Sequence, residues 1–193
     1  VRLFLLVRHG QSELNVTHRV NGDPSLPVSL SPQGETEAAG LALQVTGLQL
    51  DLCVHTRFER TRRTAEIALA GRSVPLAVEP LLDDIDVGDL EGETIEDYRA
   101  WKREHTRADA FPRGESLDDA ARRYAAAFER LIGRPERRIL VVCHEVPVRY
   151  AVNAAAGSDD LDGPAHEIGN CVPHLFDEDG LARAAERIRV LAG

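Results

Sequence analysis

Three cysteines in 193 residues, Cys53, Cys143 and Cys171, are too few and too scattered for a disulfide framework. An odd number cannot all pair internally, and each sits beside apolar neighbours, so buried free thiols are expected. No spacing of His, Cys, Asp and Glu approaches a zinc or paired-metal signature, so no metal site is expected. A P-loop and a dinucleotide fingerprint are also missing. No stretch reaches the roughly 18 apolar residues of a membrane span. Positive charge is in deficit: 23 Lys and Arg against 32 Asp and Glu give a net charge of -9. That excludes a general nucleic-acid or anionic-membrane surface, yet leaves a local arginine cluster free to hold phosphate. Repeats, low-complexity tracts and interdomain linkers are absent, which favours one domain over 1–193. The start at Val1 lacks the features of a secretory signal. The expectation is a cytoplasmic protein, with residues before Val1 left open.

An apolar content of 43% suffices for a substantial core. Leu3 to Val7 reads as a buried strand. Ser31-Pro32 predicts a helix start, and the apolar spacing from Ala38 to Leu48 extends that helix over roughly 31–47. Leu50 to Val54 follows as a strand, then a helix from about 58 to 70, and a strand within Pro75 to Leu82. Residues 83–97 are rich in acids. Thr94 to His105 predicts a small helical cover, around 92–115, with Tyr98 and Trp101 on one side. Ser116 caps a helix ending at Gly133, and Ile139 to Cys143 is a central strand. Pro147 is expected to begin a helix running through Ala156. Cys171 to Phe176 and Ile188 to Leu191 read as late strands separated by a turn at 177–180. Alternating strands and helices predict a single-domain three-layer α/β/α sandwich with a mostly parallel central sheet.

Two polar bursts follow strands directly: Arg8-His9-Gly10 and His144-Glu145. Open α/β sheets bind ligands beyond such strand ends. His9 has the chemistry of a nucleophile toward phosphorus, through a neutral ring nitrogen whose partner nitrogen is held by a carbonyl. Arg8 and Arg60 offer planar forks for phosphate oxygens. His144 can stabilise developing charge, while Asn15 and Asn170 are candidate pocket groups and Glu145 either binds substrate or forms an ion pair. Asp84 can serve as proton donor and then as base if burial raises its pKa above the ordinary ~4. Asp83 and Asp86 are weaker alternatives.

Arg8-His9-Gly10-Gln11-Ser12-Glu13-Leu14-Asn15 resembles the Arg-His-Gly-X-Ser/Thr-X-X-Asn signature of the histidine phosphatase superfamily, phosphoglycerate mutase-like branch. The stretches Thr56 to Ala65, Leu82 to Gly92, Gly114 to Asp118, Val141 to His144 and Gly169 to Cys171 resemble its later blocks in order. The resemblance implies phosphorylation of His9, phosphate binding by Arg8, Arg60 and His144, and an acid at Asp84. It implies no cofactor for simple hydrolysis and a small phosphorylated metabolite as partner, and it leaves room for a homo-oligomer. Two departures stand out. Asp84 takes a place more often held by glutamate, and Glu145-Val146 follow His144 where the branch often has two glycines. With the short segment after Gly92, they favour hydrolysis of a small phosphomonoester over phosphoglycerate mutase activity. A noncatalytic phosphate-binding or protein-interaction module is the third reading. The acidic 83–97 stretch and the cover near Trp101 suggest a sugar, nucleoside or cationic portion on the substrate.

Overall fold

A computed structural model describes residues 1–193. Five strands form one sheet: β1 (Leu3–Arg8), β2 (Leu52–His55), β3 (Leu76–Val78), β4 (Arg138–Cys143) and β5 (His174–Asp177). Their spatial order is β3-β2-β4-β1-β5, parallel except for β5, which runs against β1. Alternation along the strands splits the core between the two faces. Phe4, Leu6, Ile139 and Val141 point to one side, and Leu5, Val7, Leu140 and Val142 to the other.

Helices α1 (Glu13–Val16), α2 (Pro32–Val45), α3 (Glu59–Ala68), α4 (Ile95–Glu104), α5 (Leu117–Ile132), α6 (Glu145–Ala155) and α7 (Glu178–Leu191) complete the chain. Ala38, Leu41 and Val45 of α2, with Ala65 and Ala68 of α3, cover one face. Tyr124 and Phe128 of α5, Val148 and Ala151 of α6, and Leu181 and Ile188 of α7 cover the other. The result is the three-layer α/β/α sandwich anticipated from the alternating pattern. None of its helices is long and apolar enough to cross a membrane.

The chain end departs from expectation. Ile188 to Leu191 is the last turn of α7, not a strand. Asp177 is the cap of that helix, accepting from the Gly180 N–H at 2.7 Å. Leu181, Ala184, Ala185 and Ile188 then bury one helical stripe, a period that a four-residue apolar window conceals. Strand β5 starts at His174 rather than Cys171, because Cys171 has a left-handed φ of 56° that ends extended pairing. Helix α6 begins at Glu145, with Pro147 inside its first turn, where a missing N–H is harmless.

Candidate active site

Strands β1 and β4 lie side by side in parallel register, Arg8 opposite Cys143, so their next residues emerge together. Those residues are His9 and His144, with ring centroids 5.4 Å apart. The backbone around His9 is held from several directions. Its N–H donates to the Cys143 carbonyl at 3.0 Å, and its own carbonyl accepts from Asn170 Nδ2 at 2.7 Å. The Gly10 N–H donates to Thr64 Oγ1 at 3.0 Å. Gly10 also packs on Gly34 of α2. A Cβ added at Gly34 would stand 2.0 Å from the Gln11 carbonyl oxygen, so only glycine allows this approach.

His9 Nδ1 lies 2.6 Å from the Gly10 carbonyl oxygen. A carbonyl only accepts, so Nδ1 carries the proton and Nε2 presents a lone pair. Arg60 donates to that Nε2 from its Nε at 3.0 Å. Burial, then the Arg60 and Arg8 guanidiniums, hold His9 well below the usual imidazole range. Burial, followed by Arg60 and His9, does the same to His144. The two rings are neutral under permanent cations.

Arg60 is the hub. Phe58 lies 4.3 Å beneath its guanidinium, and Nη1 donates to Asn21 Oδ1. Its Nη2 reaches the Asn21 carbonyl at 3.1 Å, Asp84 Oδ2 at 3.2 Å and His144 Nδ1 at 3.3 Å. Asn21 reads in sequence only as a loop residue before Gly22. Its tie to Arg60 comes from the folded loop, which Glu91 anchors through the N–H groups of Gly22 and Asp23. Behind the site, His144 Nε2 meets Thr56 Oγ1 at 3.0 Å, and that hydroxyl meets Thr61 Oγ1 at 2.8 Å.

Asp84 Oδ2 is also 3.4 Å from His144 Nδ1. Burial raises its carboxyl above the ordinary aspartate range, although Arg60 pulls the other way. Asp83 points elsewhere, to the Arg57 guanidinium at 2.5 Å, and Asp86 is exposed. Arg62 and Arg63 pair with Glu66 and Glu35 away from the site. Arg8 Nη1 donates to the Ile168 carbonyl and faces Glu145 Oε2, both at 2.8 Å. The other oxygen of Glu145 holds Arg149 Nη1 at 2.8 Å.

These groups open into a cavity of about 390 Å³. Arg8, His9, Asn15, Arg60, Asp84 and Glu145 line it together. His144 is fully buried just behind them. Asn170 is set apart: its amide supports the His9 backbone from outside the cavity lining. Asn15 contributes to the wall while its side chain accepts from the Ser12 N–H at 3.0 Å, capping α1. No group of three or more His, Cys, Asp or Glu side chains is arranged to hold a metal ion.

The family model of the histidine phosphatase superfamily (branch 1) matches residues 4–188. A 2,3-bisphosphoglycerate-dependent phosphoglycerate mutase of Methylobacterium sp. (strain 4-46) is 32% identical over 193 residues, covering 91% of this chain and 90% of the relative. A solved mycobacterial glucosyl-3-phosphoglycerate phosphatase, in complex with VO3, is 26% identical with a TM-score of 0.74, over 92% of this chain and 93% of that one. The alpha-ribazole phosphatase from Shigella flexneri shares the fold, with a TM-score of 0.79 at 24% identity over 91% and 90% of the two chains.

Proposed function

The chain belongs to the histidine phosphatase superfamily, and from that membership we propose that it hydrolyses a small phosphomonoester through a phosphohistidine formed on His9. The observation that carries this reading is the His9 ring: Nδ1–H committed to the Gly10 carbonyl, Nε2 turned to Arg60 in the cavity. That tautomer leaves the lone pair needed for attack.

In this mechanism a phosphoryl dianion enters between Arg8 and Arg60, whose forks take its nonbridging oxygens. The Nε2 lone pair forms the N–P bond as the ester P–O bond breaks. Protonated Asp84 gives its proton to the departing oxygen. Water then attacks phosphorus, passing a proton to the Asp84 carboxylate, and the N–P bond breaks to release phosphate and restore His9. His144 and the arginines stabilise charge on the phosphoryl oxygens in both steps. Burial raises the Asp84 carboxyl above the ordinary aspartate range, which is the direction a proton donor needs.

The test compares native protein with His9→Ala on a panel of phosphorylated metabolites. Turnover should fall by orders of magnitude in the variant. An acid-labile phosphoryl group should be trapped on native protein alone. Comparable turnover in both proteins would exclude His9 as nucleophile. A mutase is the second reading, favoured by the 32% identity to a phosphoglycerate mutase. Isomer exchange between phosphoglycerates in the presence of a bisphosphoglycerate primer would select it, and phosphate release without exchange would reject it.

A further inference from the structure

Asp84 sits in a wall between two recesses. It lines the cavity that holds His9, and it also lines a second recess of about 450 Å³, walled by charged side chains, glycines and prolines. With open space on both sides, packing does not fix this carboxylate. Leu82 and Ile85 are anchored in the core on either side of it. Asp83 and Asp84, between them, depend on hydrogen bonds.

For the main chain those bonds come largely from one arginine. Arg123 of α5 donates through Nη1 to the Leu81 and Asp83 carbonyls at 2.9 and 2.8 Å, and through Nη2 to the Asp84 carbonyl at 3.3 Å. Its fork is oriented by Glu115, which accepts from Nη2 and, at 3.3 Å, from Nε. Glu115 also ties the loop one turn further on. Its N–H donates to the Asp86 carbonyl at 2.9 Å, and its carboxylate accepts from the Asp86 N–H at 3.1 Å. Neither Arg123 nor Glu115 lines the His9 cavity, so neither meets the phosphate.

This hold matters more for an aspartate than for a longer acid. Asp84 reaches Arg60 at 3.2 Å and His144 at 3.4 Å. With χ1 and χ2 as its only rotatable bonds, it has little freedom to correct a main-chain error. A misplacement of about 1 Å at a reacting group costs on the order of 10²-fold in rate.

We propose that Arg123, oriented by Glu115, is a positioning residue for the proton donor: it fixes the main chain of 81–84 so that the short Asp84 side chain meets the leaving oxygen. The inference rests on the phosphatase reading above and deepens one step of it. In that step the ester P–O bond breaks as N–P forms on His9, and the Asp84 proton goes to the departing oxygen.

The experiment compares native protein with Arg123→Lys, which keeps the charge and loses the fork that spans three carbonyls. The probes are phenyl phosphate and p-nitrophenyl phosphate, similar in shape, of which only the first needs a proton on its leaving group. Arg123→Lys should lower kcat/KM about tenfold or more on phenyl phosphate, and less than about threefold on p-nitrophenyl phosphate. In an Asp84→Asn background the same substitution should change either value by less than about twofold, because the group it positions is gone. The ratio of the two esters is read within each protein, so a smaller folded fraction does not imitate the effect. Equal losses on both esters, no loss on either, or a further loss on phenyl phosphate in the Asp84→Asn background would overturn the proposal. If Arg123→Lys does not fold, Glu115→Gln carries the same comparison, since it removes the charge that orients the fork.

A second readout needs no turnover. The Asp84 carboxyl, identified in carbon-13 spectra by its loss in Asp84→Asn, faces Arg60 and His144, with Arg8 and Glu145 beyond, and burial holds its pKa above the ordinary aspartate range. In Arg123→Lys it should move back toward the ordinary ~4 as the loop takes up water. Native protein that hydrolyses neither ester refutes the hydrolase reading. The titration then decides the positioning role alone: a shift toward ~4 supports it, and an unmoved Asp84 overturns it. Hydrolysis of both esters with equal losses and an unmoved Asp84 keeps the hydrolase reading and rejects the proposal.

Discussion

Arg60 Nε donates to His9 Nε2 at 3.0 Å, so the proposed nucleophilic nitrogen rests on the cation that would receive its phosphate. The same guanidinium spans Asn21, Asp84 and His144 and stacks over Phe58. A lysine ammonium cannot reproduce that planar fork. Arg60→Lys should therefore lower kcat/KM by about 10²-fold or more, in the range seen when one preorganised charge-stabilising donor is lost. Steady-state kinetics with an unchanged circular dichroism spectrum is the check. A loss below about threefold would remove Arg60 from the phosphate clamp.

Acid should weaken both activity and stability. His9 and His144 are held below the ordinary imidazole value of ~6.5. Between that value and their folded pKa values the unfolded chain binds more protons than the folded one. Their contribution to stability is therefore complete above about pH 6.5 and is lost as pH falls through the folded values. Melting temperatures from pH 8 to pH 4 should show a decline beginning near pH 6.5, smaller in a His144→Gln variant. The rate of the folded enzyme should fall only at lower pH, where the lowered pKa of His9 lets its lone pair be taken up.

Asp84 has the opposite sign. Its carboxyl is raised by burial, so the folded chain holds that proton to higher pH than the unfolded chain. Charging it at neutral pH costs stability, and Asn at this position removes the cost. Asp84→Asn should gain melting temperature relative to native protein at pH 8 compared with pH 4. The same variant should lose far more activity on alkyl phosphates than on p-nitrophenyl phosphate, whose leaving group needs no proton. Equal losses on both substrates would count against the acid role.

Glu145 competes for the phosphate site. It lies 2.8 Å from Arg8 and 2.8 Å from Arg149, on the edge an incoming anion must approach. Glu145→Gln keeps a hydrogen-bond acceptor near Arg8 but deletes the like charge. Inhibition by inorganic phosphate should tighten about tenfold, since one strong charge contact is relieved of its rival. Phosphate inhibition constants for the two proteins decide the point. An unchanged constant means Glu145 is only an ion-pair partner.

The central layer was legible because strand ends and chemistry coincide. An unbroken apolar run followed by Arg8-His9-Gly10, and another followed by His144, place both imidazoles at one edge of a parallel sheet. Asp84 could be singled out from Asp83 and Asp86 only by its place in the motif, and in the fold it alone of the three contacts Arg60 and His144. What stayed hidden depends on loops and faces. Asn21 reaches Arg60 through a turn held by Glu91, a partner 70 residues away. The inward cations of α4, Arg99 and Lys102, are interleaved with outward acids, so composition averages them away and only the helix phase separates them. Helix α7 was missed because its final apolar residues, taken alone, fit either period.

Gly34 faces the turn after His9 with no side chain between them, and that contact is made entirely by main-chain atoms. The remaining hold of α2 on that turn comes from Glu37, whose carboxylate accepts from the Gln11 N–H at 2.8 Å. Exposed positions such as Leu43 can drift without disturbing the nucleophile. Tolerance along that helix should be broad on its outer face and fail at Gly34, where any side chain meets the Gln11 backbone, and at the buried stripe of Ala38, Leu41 and Val45.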